Sequence, residues 1–170
     1  MAETLGAWIA LYAENPKKTE DALRGNPVLL FDTMPSDRSD TDEVLSNSVP
    51  ITTDDDWSKR FVIVVEKTVD NVFRNRVTIG RTSNNDIVLD DASVSRFHAW
   101  LQKSDGSNEW EMVDAGSRNG CSVEGTRLVA RVPVSIQSGS MVGLGALELT
   151  FLSTVGFLEF LKTCSVLDKK

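Results

Sequence analysis

Residues 58–152 predict a mainly β domain, an antiparallel sandwich or barrel of many short strands. Three observations carry this reading. Runs rich in β-branched residues recur at strand length, beginning with Phe61-Val62-Ile63-Val64-Val65. Turn dipeptides separate them: Asp105-Gly106, Asn119-Gly120, Glu124-Gly125 and Ser138-Gly139. No stretch of helical periodicity intervenes, so parallel βαβ units are excluded.

The strands follow in order. After Phe61–Val65 comes a turn at Asp70-Asn71, then Val72–Ile79, Ile87–Leu89 and Arg96–Lys103. Trp110–Val113, Cys121–Val123, Val129–Ser135, Met141–Leu144 and Ala146–Leu152 complete the set. Before them lies an N-terminal extension, residues 1–31, of helical pattern. Leu5, Trp8, Ile9 and Tyr12 mark one apolar face, and Asn15-Pro16 reads as a cap with proline opening a second helix. Gly25-Asn26-Pro27 stops that helix, and Val28–Phe31 is a short run of strand type. Residues 32–57 are rich in Asp, Ser and Thr and too polar to offset the entropy of ordering, which is the composition of a linker. Residues 153–170 turn helical again, with an apolar stripe of Phe157, Leu158, Phe160, Leu161 and Cys164.

Composition narrows the function. With 18 basic and 25 acidic residues the net charge is −7, against the surplus of Lys and Arg that nucleic acid demands. No apolar run approaches the roughly 18 residues of a membrane span, and Glu3 stands where a signal peptide needs a basic residue. A cytoplasmic location is therefore expected. The two cysteines, Cys121 and Cys164, form no CxxC pair, so neither a disulfide framework nor a metal site is expected.

Three polar stretches sit at strand ends: Gly80-Arg81-Thr82-Ser83-Asn84-Asn85-Asp86, Ser95-Arg96-Phe97-His98, and Asp114-Ala115-Gly116-Ser117-Arg118-Asn119-Gly120. A phosphate dianion requires a planar multi-donor arginine, a short hydroxyl and backbone N–H groups on rigid loops. Arg81, Ser95, Arg96, Arg118 and Asn119 are such groups. In this order, Gly-Arg, Ser-x-x-His, Asn-Gly and then Glu124-Gly125, the set resembles the forkhead-associated (FHA) family over about residues 60–152.

The resemblance implies an FHA-type antiparallel β-sandwich of about 10–11 short strands that binds phosphothreonine peptides in Ser/Thr kinase pathways, without a cofactor and without catalysis. It implies that Arg81 and Ser95 hold the phosphate, that Asn119 bonds the peptide backbone, and that Arg96 and Arg118 add contacts. Gly80, His98 and Gly120 match positions that support the loops. Cys121 departs from the threonine common after Asn-Gly. The expected partner is a threonine-phosphorylated protein, either a Ser/Thr kinase or its substrate. Two rivals are weighed beside it. A phosphate-independent scaffold would bind through apolar surface. A hydrolase with Ser95 as nucleophile and His98 as base lacks a GxSxG elbow and an orienting carboxylate, and residues three apart in a strand face opposite ways. In the acidic stretch, Thr41, Thr52 and Thr53 are candidate regulatory phosphosites.

Overall fold

The computed structural model describes residues 2–31, 60–69 and 71–167. The acidic stretch with Thr41, Thr52 and Thr53 lies outside them. Twelve strands and three helices follow in the order β1 (Ala2–Thr4), α1 (Leu5–Glu14), α2 (Pro16–Leu23), β2 (Val28–Phe31), β3 (Phe61–Val64) and β4 (Val77–Gly80). Then come β5 (Ile87–Val88), β6 (Ala99–Lys103), β7 (Trp110–Asp114), β8 (Cys121–Val123), β9 (Thr126–Arg127) and β10 (Val134–Ile136). The chain closes with β11 (Met141–Leu144), β12 (Leu147–Leu152) and α3 (Thr154–Leu167).

The strands form a seven-stranded sheet, β1-β3-β2-β12-β11-β8-β9, and a five-stranded sheet, β10-β7-β6-β4-β5. Pairing is antiparallel except for β4 and β5, which run parallel over Ile79↔Ile87 and Gly80↔Val88. The sheets share one core, to which Ile79, Ala99, Leu101 and Met112 contribute from the smaller sheet and Leu29, Leu144, Leu149 and Phe151 from the larger. A second core lies on the other face of the larger sheet, where Leu5, Trp8, Leu23, Phe157 and Leu161 of the helices meet Val28, Leu30 and Val62. Trp8 and Phe157 meet edge to face there, with ring centroids 5.6 Å apart.

The molecule thus has three layers, and the middle one explains an ambiguity of the sequence. Along β2 the side chains alternate between cores, Val28 and Leu30 toward the helices and Leu29 and Phe31 toward the opposite sheet. A strand buried on both faces reads as an unbroken apolar run. The helical N-terminal segment therefore also supplies β1 and β2, and β2 lies inside the larger sheet between β3 and β12.

Three other strands differ from expectation. The run expected over Val72–Ile79 is a strand only from Val77, because Asn71, bonded through Nδ2 to Asp86 and through Oδ1 to the Phe73 N–H, holds a loop ahead of it. The run expected from Arg96 starts at Ala99, since the Ser95 N–H is taken by the His98 ring. The run expected over Val129–Ser135 is a strand only from Val134: a turn from Val129 to Val132, with Arg131 at φ 67°, precedes β10.

Candidate functional site

The C-terminal end of β4, the start of β6 and the end of β7 lie at one end of the smaller sheet, fixed there by the register Ile79↔Ala99↔Asp114. The three polar stretches therefore open side by side, though they are far apart in sequence. Asn119-Gly120 is not a tight hairpin turn: it carries the chain from β7 in one sheet to β8 in the other. Gly120 adopts φ +84°, a left-handed conformation that disfavours side chains, and a Cβ there would lie 2.6 Å from the Arg127 guanidinium.

Each loop is tied to its neighbours by directed bonds. The Arg81 N–H donates to the Ser95 carbonyl at 3.0 Å, and Arg81 Nε donates to the Val94 carbonyl at 3.2 Å. The Arg96 carbonyl accepts from Thr82 Oγ1 at 2.9 Å and from Asn85 Nδ2 at 2.7 Å. Gly80 permits this approach, because a Cβ on it would sit 2.3 Å from that same carbonyl oxygen. The Arg118 N–H donates to Ser95 Oγ at 3.0 Å, and Asn119 Nδ2 donates to the Ser93 carbonyl at 2.7 Å. Beneath them the Asp114 carboxylate accepts from the N–H groups of Gly116, Ser117 and Cys121 and from Ser117 Oγ. Burial pushes its pKa upward, but these donors outweigh burial and hold it below the ordinary carboxylate value.

His98 is fully buried at the centre of this arrangement. Its Nδ1 accepts from the Ser95 N–H at 2.8 Å, which leaves Nε2 protonated and 3.1 Å from the Gly120 carbonyl. That is a single neutral tautomer joining the second and third loops. Both ring nitrogens face backbone, so neither is placed to take a proton from Ser95 Oγ.

Burial lowers the His98 pKa below that of free imidazole, against the opposing pull of the Gly120 carbonyl and the Asp114 charge. Below about pH 6.5 the unfolded chain takes up a proton here that the folded chain does not, so stability is full above that pH and declines as pH falls. His98 is the only histidine, so one NMR resonance reports it. Its titration midpoint in the folded protein is expected below 6.5, with a melting temperature that falls between pH 7 and 5.5. A midpoint at or above the free value would contradict this reading.

Above the network lies an open groove of about 900 Å³. Arg81, Ser95, Arg96, Arg118 and Asn119 all line it, and no carboxylate does. The three arginines are exposed. Among the described residues the Arg81 guanidinium bonds only through Nε, and the Arg96 and Arg118 side chains make no hydrogen bond or ion pair. Ser95 Oγ accepts from Arg118 N–H and retains its own hydrogen for a ligand. The arrangement is a concave cluster of cationic and neutral donors in a chain of net charge −7. Among the described residues no group of three or more His, Cys, Asp or Glu could hold a metal ion.

Sequence reasoning assigned no role to Thr82, Asn85, Ser93 or Asp114, which bond the loops together, Thr82 and Ser93 while also lining the groove. Asp114 had a readable signal, since aspartate two residues before glycine and three before serine is an Asx-turn pattern. The others had none, because their partners come from distant loops.

Residues 77–145 match the family model described as FHA domain. The chain carries an FHA domain. Relatives of that domain include the oxoglutarate dehydrogenase inhibitor of Corynebacterium diphtheriae, 40% identical over 79 residues, covering 46% of this chain and 52% of that protein. The glycogen accumulation regulator GarA of Mycobacterium tuberculosis is 39% identical over 77 residues, covering 44% of this chain and 43% of that protein. The chain thus spans about half the length of the curated relatives it matches. The FHA domain of an Arabidopsis thaliana hypothetical protein superposes with a TM-score of 0.50 at 18% identity, over 75% of this chain and 86% of that one. An engineered FHA domain does so with a TM-score of 0.50 at 14% identity, over 81% and 98%. The FHA sandwich is the fold of this chain. Among the described residues no helix is long and apolar enough to cross a membrane.

Proposed function

We propose that this FHA domain is a non-catalytic recognition module for threonine-phosphorylated proteins in Ser/Thr kinase signalling. One observation carries the proposal: Arg81, Ser95, Arg96, Arg118 and Asn119 converge from three loops on one groove that contains no acid. In this reading Arg81 and Ser95 bind the phosphate, Arg96 and Arg118 add positive charge at its sides, and Asn119 meets the peptide backbone. Gly80, His98 and Gly120 set the loops in advance, so little ordering remains to oppose binding. Each charge-assisted bond contributes roughly 1.5–3 kcal/mol. Two or three of them, lost on dephosphorylation, separate the two peptide states by about a hundredfold or more. The engaged nitrogens of His98 support the non-catalytic reading, as do relatives named as an inhibitor and a regulator.

The test is a peptide array in which each threonine, serine and tyrosine sequence appears with and without phosphate. Binding to the phosphothreonine members that disappears on phosphatase treatment is expected. Equal binding to both halves of the array would instead favour a phosphate-independent scaffold.

A further inference from the structure

The smaller sheet carries an aromatic stack on its outward face, immediately beside the groove. Phe73, in the loop before β4, stacks on Phe97 with centroids 5.8 Å apart and planes 12° from parallel. Phe97 stacks in turn on Trp100 of β6 at 6.0 Å and 6°. The Arg76 guanidinium covers the Trp100 ring at 4.6 Å from its centroid. Phe73 and Phe97 are 45% and 38% exposed, and among the described residues they are the only strongly exposed aromatic side chains. A single exposed apolar side chain needs no explanation, but two that meet each other form a patch. Val72 beside Phe73 is 83% exposed and widens it.

The position of this patch distinguishes it from a loop fastening. Phe97 lines the phosphate groove together with its neighbours Ser95 and Arg96. A chain lying in that groove therefore passes the Phe97 ring. Arg76 closes the Trp100 end, so the uncovered aromatic surface is Phe73 and the groove side of Phe97. Phe97 lies between Phe73 and Trp100, so it offers its edge to the groove, where a further ring packs edge to face, an arrangement that contributes beyond the area it buries.

We propose that the natural ligand carries, beside its phosphothreonine, an aromatic side chain that packs on the Phe73–Phe97 shelf. This rests on the phosphothreonine reading of the groove and adds to it the class of residue that flanks the phosphate. Phosphate then decides whether binding occurs, and the shelf decides among phosphorylated sequences.

The experiment uses the full chain and an alanine peptide with one central phosphothreonine. Tryptophan is placed singly at each of four positions on either side, and affinities are read by calorimetry for the wild type, Phe97→Ser and Phe73→Ser. At one flanking position tryptophan is expected to tighten wild-type binding about tenfold over alanine. In Phe97→Ser that gain, taken relative to the variant's own affinity for the alanine phosphopeptide, is expected to shrink to about twofold or less. Phe73 lies in a loop, so Phe73→Ser preserves the test if Phe97→Ser proves poorly folded; it too is expected to reduce the gain. A flat scan in the wild type, or a gain that survives in both variants, would overturn the shelf while leaving phosphate recognition standing. If the alanine phosphopeptide binds no better than its unphosphorylated form, the phosphate reading fails and the shelf proposal with it.

Discussion

Arg81→Ala is expected to lower affinity for a phosphothreonine peptide by about a hundredfold or more, the loss of two charge-assisted bonds. Stability should change little, because the side chain is exposed and its only protein bond runs from Nε to the Val94 carbonyl. That bond orients the guanidinium and leaves both terminal amino groups for ligand. Arg81→Lys is the informative companion. It keeps the charge but removes both the Nε donor and the planar fork, so it should recover only a minor part of the affinity. Fluorescence anisotropy with a labelled phosphopeptide, beside a thermal melt, separates binding from folding. Unchanged affinity in a folded Arg81→Ala protein would disprove the assignment of the groove.

A stability effect of comparable size is expected at Asp86, which touches no part of the groove. Its carboxylate has 0% exposed side-chain surface and pairs with Lys67 Nζ at 3.0 Å. It also accepts from the Thr68 N–H and Oγ1, Asn71 Nδ2, and the Thr78 N–H and Oγ1, at 2.8 to 3.0 Å. Burial alone would raise its pKa; the donors from Thr78, Thr68 and Lys67 prevail and lower it. Asp86→Ala leaves Lys67 and several donors without their acceptor, and breaking a buried pair in this way costs about 3–5 kcal/mol. A fall in melting temperature of roughly 10 °C is expected for a domain of this size. Asp86→Asn keeps the volume but loses the charge and should fall between. A melting temperature within a degree or two of wild type would show that the network contributes little.

Turn chemistry and strand composition made the sandwich readable, since both are local. Glu124-Gly125 illustrates this: both residues take positive φ, 49° and 72°, as a tight turn between β8 and β9 requires. The groove residues were readable for another reason: Gly80-Arg81, Ser95-x-x-His98 and Asn119-Gly120, in that order, resemble the FHA family. What the sequence concealed depends on distant partners. Nothing near Asp86 indicates that Lys67 and Thr78 will converge on it. The exposure of Phe73 was equally hidden, because Val72-Phe73 has the composition of a strand and the bonds of Asn71 to Asp86 and to Phe73 hold it in a loop. Val28–Phe31 was identified as a strand, but its burial on both faces required the helices and the opposite sheet to be placed first.

The position of β2 has a consequence for synthesis on the ribosome. Its partner β12 comes late: Thr150 pairs with Leu30, and Thr154 bonds the carbonyl of Asn26 across 128 residues. Until β12 has emerged, β2 has an unpaired edge, and the larger sheet cannot close. Contacts of such sequence separation slow folding because the loop between them must be ordered first. The groove loops between β4 and β8 are made earlier, and the smaller sheet that carries most of them is complete once β10 has emerged. The larger sheet packed against it nevertheless closes only when β12 is added. A nascent chain of this protein should therefore acquire its ligand-binding surface in one late step, not gradually as the loops appear.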